Sequence, residues 1–229
     1  MSAPASTAQL REHALPVWQA LVGHEFPRRL ATGVLPPERF RFYISQNILY
    51  LPAYARMIAS AASRSNGLAE LADHTASLVN IVETEIPENL RLLSAIEALA
   101  GPASAAERDV MAPATLAYTS WLLAVAATGD TADVSAALLP CAWSYGELAR
   151  ALRPITVAHP VYAQWIAFFA SDSYDAVVRR LRDGLDVLLP GFAETKRTRL
   201  ADIFLTGCRM ERQFWDQGLS GRHWPELEG

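Results

Sequence analysis

DTADVSAALLPCAWSYGELARAL, residues 130–152, decides the fold class. Val134, Leu138, Cys141, Tyr145, Leu148 and Leu152 follow one another in steps of four and three, which puts them on one face of a helix. Gly129–Asp130 supplies a turn and an N-cap ahead of it. Pro140 lies inside the pattern, directly before Cys141. It removes a backbone donor and is expected to bend the helix. The bend either wraps the helix around a core or opens space beside the thiol.

The same period recurs outward in both directions, and no convincing run alternates with period two. Helices are expected near 7–22, 37–63, 67–86, 88–99, 114–127, 130–152, 160–169, 173–188 and 194–217. Gly33 with Pro36–Pro37, Gly101–Pro102, Pro113, His159–Pro160 and Pro190–Gly191 punctuate them, with a short acidic turn after Pro102 and His159 as a helix cap. Pro52 interrupts the second long helix. The even spacing, without a linker-like segment or internal repeat, predicts one all-α domain over 1–229, with flexible ends at 1–6 and 219–229.

Half of the 229 residues are hydrophobic and 19% are charged, enough apolar surface for a sizeable core and too much for long disorder. The net charge of -4 and the absence of a Lys/Arg stripe argue against a nucleic-acid partner. Two distant cysteines, Cys141 and Cys208, make neither a disulfide framework nor a zinc site. A reducing cytoplasm fits them. The N-terminus lacks a signal-peptide pattern, and the longest apolar runs, near 116–127 and 135–143, are too short to span a bilayer.

Three expected helices carry a polar group on the core face. Asn47 shares its stripe with Tyr43, Tyr50 and Tyr54; Cys141 stands one turn from Tyr145; Glu211 lies between Phe204, Cys208 and Trp215. Each has a structural counterpart: a core amide near Pro52, an inert buried thiol, a carboxylate paired with Arg212. Together they point to a polar pocket in an apolar bundle, with a nucleophile beside a proton donor. A helical di-iron site needs more ligands than Glu83, Glu85 and His74 provide. No metal and no cofactor are expected.

HEFPRRLATGVLPPERFRFYISQNILYLPAYAR (24–56), AYTS (117–120), LLPCAWSYGELA (138–149), HPVYAQWIAFF (159–169) and ERQFWD (211–216) together resemble the TenA (thiaminase II) family. The resemblance runs in family order from His24 to Asp216. It implies a heme-oxygenase-like helical bundle, usually a homotetramer. It also implies hydrolysis of thiamin or of aminomethylpyrimidine breakdown products to hydroxymethylpyrimidine, for thiamin salvage. It casts Cys141 as nucleophile and Glu211 as general acid, with Asn47, Tyr50, Tyr118, Tyr145 and Phe169 around a pyrimidine substrate. This sequence departs from the family at Asn47, where Asp is usual, at Phe169, where Tyr is usual, and at Trp121, where His is usual. These changes imply slowed hydrolysis or a shifted substrate, and restoring Asp at 47 is expected to raise activity on aminomethylpyrimidine. The other reading is a non-hydrolytic protein that binds an aminopyrimidine-like ligand.

Overall fold

The computed structural model describes residues 3–155 and 159–227, and every regular element among them is helical. The elements are α1 (Thr7–His13), α2 (Leu15–Val22), α3 (Glu25–Ala31), α4 (Pro37–Ala62), α5 (Leu68–Asn80), α6 (Ile86–Ala100), α7 (Ala105–Asp109), α8 (Pro113–Thr128), α9 (Thr131–Leu152), α10 (Pro160–Phe169), α11 (Asp172–Leu188) and α12 (Glu194–Ser220). One turn of π-helix, Ile81–Glu85, joins α5 to α6.

The expected all-α class holds, with four local corrections. Residues 7–22 form two helices, because Pro16 cannot donate to the carbonyl of Glu12 and the chain steps at Ala14. Residues 25–31, read as a connection, are helical. His24 caps them, its Nδ1 accepting from Phe26 N at 3.1 Å, and Pro27 falls in the first turn, where no donor is needed. Pro87 does not separate two helices; it sits in the first turn of α6, and the π-turn before it keeps the chain continuous. The acidic turn after Pro102 winds into α7 through a Ser104–Glu107 capping box.

His159 holds the N-cap position of α10, but its side chain makes no capping bond. Its ring stacks on Tyr162 instead, at 4.0 Å. Of the chain ends expected to be flexible, residues 1–2 and 228–229 lie outside the described residues. Ser6 caps α1, and Trp224 Nε1 donates to Met111 O at 2.9 Å. The stretch Ala105–Thr128 is, by length and composition, long and apolar enough to cross a membrane, contrary to the shorter runs expected. It is interrupted between Asp109 and Pro113, and it turns Thr115, Tyr118 and Leu122 into the core.

The long helices α4, α9 and α12 build the centre. α12 packs along α9 and reaches α2, α4 and α8; α4 carries α5, α6 and α8 on its flank; α11 covers α9. The packing of α9 on α12 at Pro140 depends on Gly207. A Cβ there would stand 2.7 Å from Pro140 Cγ, so the bare glycine receives the proline ring. An Asp130–Asp133 capping box starts α9 as the sequence suggests, and Lys196 and Arg199 of α12 bind Asp133. Between these helices lies a pile of buried rings: Trp215 stacks on Phe26 at 5.1 Å, on Tyr43 at 5.2 Å and on Tyr145 at 4.9 Å. Each such ring contributes roughly 2–3 kcal/mol by burial.

Candidate active site

Four helices and the π-turn bring the site together. Tyr50 and Tyr54 come from α4, Tyr118 from α8, Cys141 and Tyr145 from α9, and Glu211 from α12. Each lies on the stripe that faces the core, which is why the helical period aims them at one another.

Glu211 is buried, and the Tyr118 hydroxyl donates to its Oε1 at 2.5 Å. Burial pushes the carboxyl up to about 7, against the opposing pull of hydrogen bonds from Tyr118 and the Cys141 thiol. Arg212, adjacent in sequence, makes no ion pair with it. The Cys141 thiol is raised well above its ordinary value, first by burial and then by the charges of Glu211 and Glu85. It is partly exposed, whereas Cys208 is sealed in the core, where burial also raises its thiol.

Cys141 opens into a hollow of about 20 Å³, walled also by Tyr50, Tyr54, Leu138, Glu85 and Tyr174. That is room for about one water, not for a heterocycle, so a ring-sized ligand enters only as these walls part. A surface groove of about 330 Å³, lined by Glu70, Asp73, His74 and Arg180 among others, shares Ser77 and Leu181 with the hollow. It offers a route inward between α5 and α11. The Tyr50 hydroxyl is buried with no hydrogen bond of good geometry, and its ring lies 5.0 Å from that of Tyr118.

The other expected site residues take second positions. Tyr145 receives a hydrogen bond from Tyr43 at 3.2 Å and stacks on Trp215. Phe169 is buried and meets edge-on both Tyr145, at 4.9 Å, and Tyr174, a wall of the hollow, at 5.0 Å. Trp121 stands 6.0 Å from the Tyr118 ring. Asn47 is buried, and its Nδ2 donates to Asn89 Oδ1 at 2.9 Å; Asn89 Nδ2 in turn donates to Glu85 O at 2.8 Å.

Sequence reasoning missed Glu85 and Asn89 as parts of this site. The sequence presents Glu85 only as a candidate metal ligand, and the i, i+4 spacing of 85 and 89 is the one signal it offers for this pair. Among the described residues no group of three or more His, Cys, Asp and Glu side chains could hold a metal ion, and His74 interacts with Ser65 at 3.0 Å.

Comparison with known proteins gives the family. The chain is 36% identical over 221 residues to an aminopyrimidine aminohydrolase of Halalkalibacterium halodurans, covering 95% of this chain and 96% of the relative. It is 26% identical to the Bacillus subtilis protein of the same name, over 95% and 91% of the two chains. Among solved structures it is similar to a TenA family transcription regulator from Silicibacter, with TM-score 0.84 and 28% identity over 96% and 98% of the chains. A domain from Shewanella denitrificans, at 11% identity and TM-score 0.69 over 93% and 92% of the chains, shares the heme oxygenase-like fold. Residues 11–221 match the TENA/THI-4/PQQC family, and the chain belongs to that family.

Proposed function

We propose that this chain is a thiaminase II-type hydrolase of thiamin or of aminomethylpyrimidine degradation products, releasing hydroxymethylpyrimidine for thiamin salvage. Cys141 is the nucleophile and Glu211 the general acid. The observation that carries this reading is a buried carboxyl raised to about 7 beside the thiol that reaches the hollow, with Tyr118 fixing its orientation. The names of the bacterial relatives support it.

A leaving group on a pyrimidine's exocyclic methylene is not readily displaced directly. Addition of sulfur to a ring carbon breaks aromaticity and lets the group depart; water then adds to the methylene and the sulfur leaves. The Cys141 thiol holds its proton at neutral pH, so it adds as it gives that proton up. Glu211 gives its own proton to the ring nitrogen and receives the thiol's. A carboxyl that titrates near neutrality suits both transfers. Tyr118 keeps the carboxyl in place, while the unsatisfied Tyr50 hydroxyl is free for substrate. The reading includes a homo-oligomer, which the exposed Leu68 and Val187 favour and light scattering would test.

The test is mass-spectrometric product detection after incubation with thiamin and with aminomethylpyrimidine. Wild type is expected to form hydroxymethylpyrimidine, and Cys141→Ser is not. Product formation at equal rates by both proteins would overturn the assignment of the nucleophile. A second reading, binding without hydrolysis, is favoured by the raised thiol. It predicts that iodoacetamide leaves Cys141 unlabelled and that neither substrate is consumed.

A further inference from the structure

Glu85 ends the π-turn that replaces an ordinary helical turn between α5 and α6. Such turns recur at functional sites because they push one residue out of the regular hydrogen-bond ladder. Here the carboxyl is buried, lines the hollow with Cys141, and forms no hydrogen bond or ion pair with any described side chain or backbone group. Its backbone is held firmly: Asn89 Nδ2 binds the Glu85 carbonyl, and Asn47 fixes Asn89. A buried carboxyl with no partner in its own fold is costly. Glu88, one turn on, faces away to Arg91 and Gln164. The titratable groups around Glu85 are Tyr54 from α4, Cys141 from α9, Tyr174 from α11 and Glu211 from α12.

The proposed hydrolysis, on which this inference rests, contains two proton transfers that Glu211 does not perform. A departing amine needs a proton, and the water that replaces it must lose one. The geometry points to Glu85 as the second acid–base group of the site, serving the leaving group and the water while Glu211 serves the ring. As the methylene C–N bond breaks, the amine leaves with the bonding pair and takes the Glu85 proton. Water then forms the C–O bond and returns a proton to the Glu85 carboxylate. The sulfur finally departs, recovering its proton through Glu211 as the ring nitrogen gives one up. No oxidant or reductant is needed. Burial and the nearby Glu211 raise Glu85 to about 7, which fits a group that must hold a proton and then accept one.

Two substrates separate this role from a structural one. An aminomethylpyrimidine loses an amine that must be protonated, whereas thiamin loses its thiazolium as a neutral thiazole that needs no proton. Glu85→Gln keeps the side-chain shape. It is expected to lower kcat on the aminomethyl substrate by about 100-fold or more, and at least tenfold less on thiamin. The high-pH limb of the pH profile shifts, and Glu85→Asp recovers part of the rate. Equal losses on the two substrates with an unchanged pH profile would overturn the role of Glu85 alone. A wild type inert towards both substrates would overturn the hydrolase reading and this role with it.

Discussion

Replacing Glu211 by Gln removes an ionisable group whose folded and unfolded states titrate far apart, and stability should record the difference. In the unfolded chain the carboxyl titrates near 4.5; in the fold it is raised to about 7. Between those values the folded state keeps a proton that the unfolded state has lost, so stability falls as pH rises through this window. Above about 7 the full penalty is present, and below about 4.5 there is none. A separation of that size corresponds to about 3 kcal/mol, and the group is buried enough for solvent not to dilute it. Glutamine retains an oxygen for the Tyr118 hydroxyl, so the hydrogen bond is not lost with the charge. For a chain of this length, 3 kcal/mol is a shift of roughly 6–12 °C in Tm. Thermal unfolding of wild type and Glu211→Gln at pH 5 and pH 8 measures it. The variant is expected to match wild type near pH 5 and to exceed it at pH 8. Glu85, raised partly by Glu211, relaxes in the same variant and adds to the gain. Two curves that stay parallel across the range would refute the account of both carboxyls.

Two further outcomes follow from the packing. Asn89 Nδ2 is committed to the Glu85 carbonyl, so its oxygen faces residue 47, and that residue must donate. Asn47→Asp sets acceptor against acceptor at a cost of about 1–3 kcal/mol. It is therefore expected to lower Tm and to leave hydrolysis of aminomethylpyrimidine no faster, the reverse of what the family pattern implies; a faster and equally stable variant would count against the network. Gly207→Ala drives a methyl into Pro140 at 2.7 Å and must part α9 from α12. Roughly 1–3 kcal/mol of lost stability in a denaturant titration is expected, and an unchanged midpoint would show that the helices yield freely.

The helical stripes were legible because a regular α-helix keeps phase. Counting threes and fours from Val134 or Phe204 leads to Cys141 and Glu211 on inward faces, and Asp130 announces the start of α9. Phase was lost where the helix is not regular. The π-turn at Ile81–Glu85 adds a residue to one turn, so an α-period carried through it rotates Glu85 to the wrong place, and Pro87 reads as a break. Asn89 escaped for the same reason, since its meaning depends on a carbonyl that only the widened turn presents. Phe169 shows the opposite limit: similarity places it at the ligand, while in the fold it packs edge-on behind Tyr174, a wall of the hollow.

These two limits meet in the chemistry. Below neutrality Cys141, Glu85 and Glu211 all hold their protons, so the site is electrically neutral inside an aromatic core that would solvate a charge poorly. A mechanism suited to that environment moves protons along with electrons and never isolates a thiolate. Because Glu211 raises Glu85 and both titrate near 7, the first proton lost there is shared between the two carboxyls. That single loss both places a charge in the core and leaves one of the two proposed acid groups without a proton to give. The loss of activity and the loss of stability with rising pH are then one event, and their midpoints should coincide in wild type and move together in Glu85→Gln.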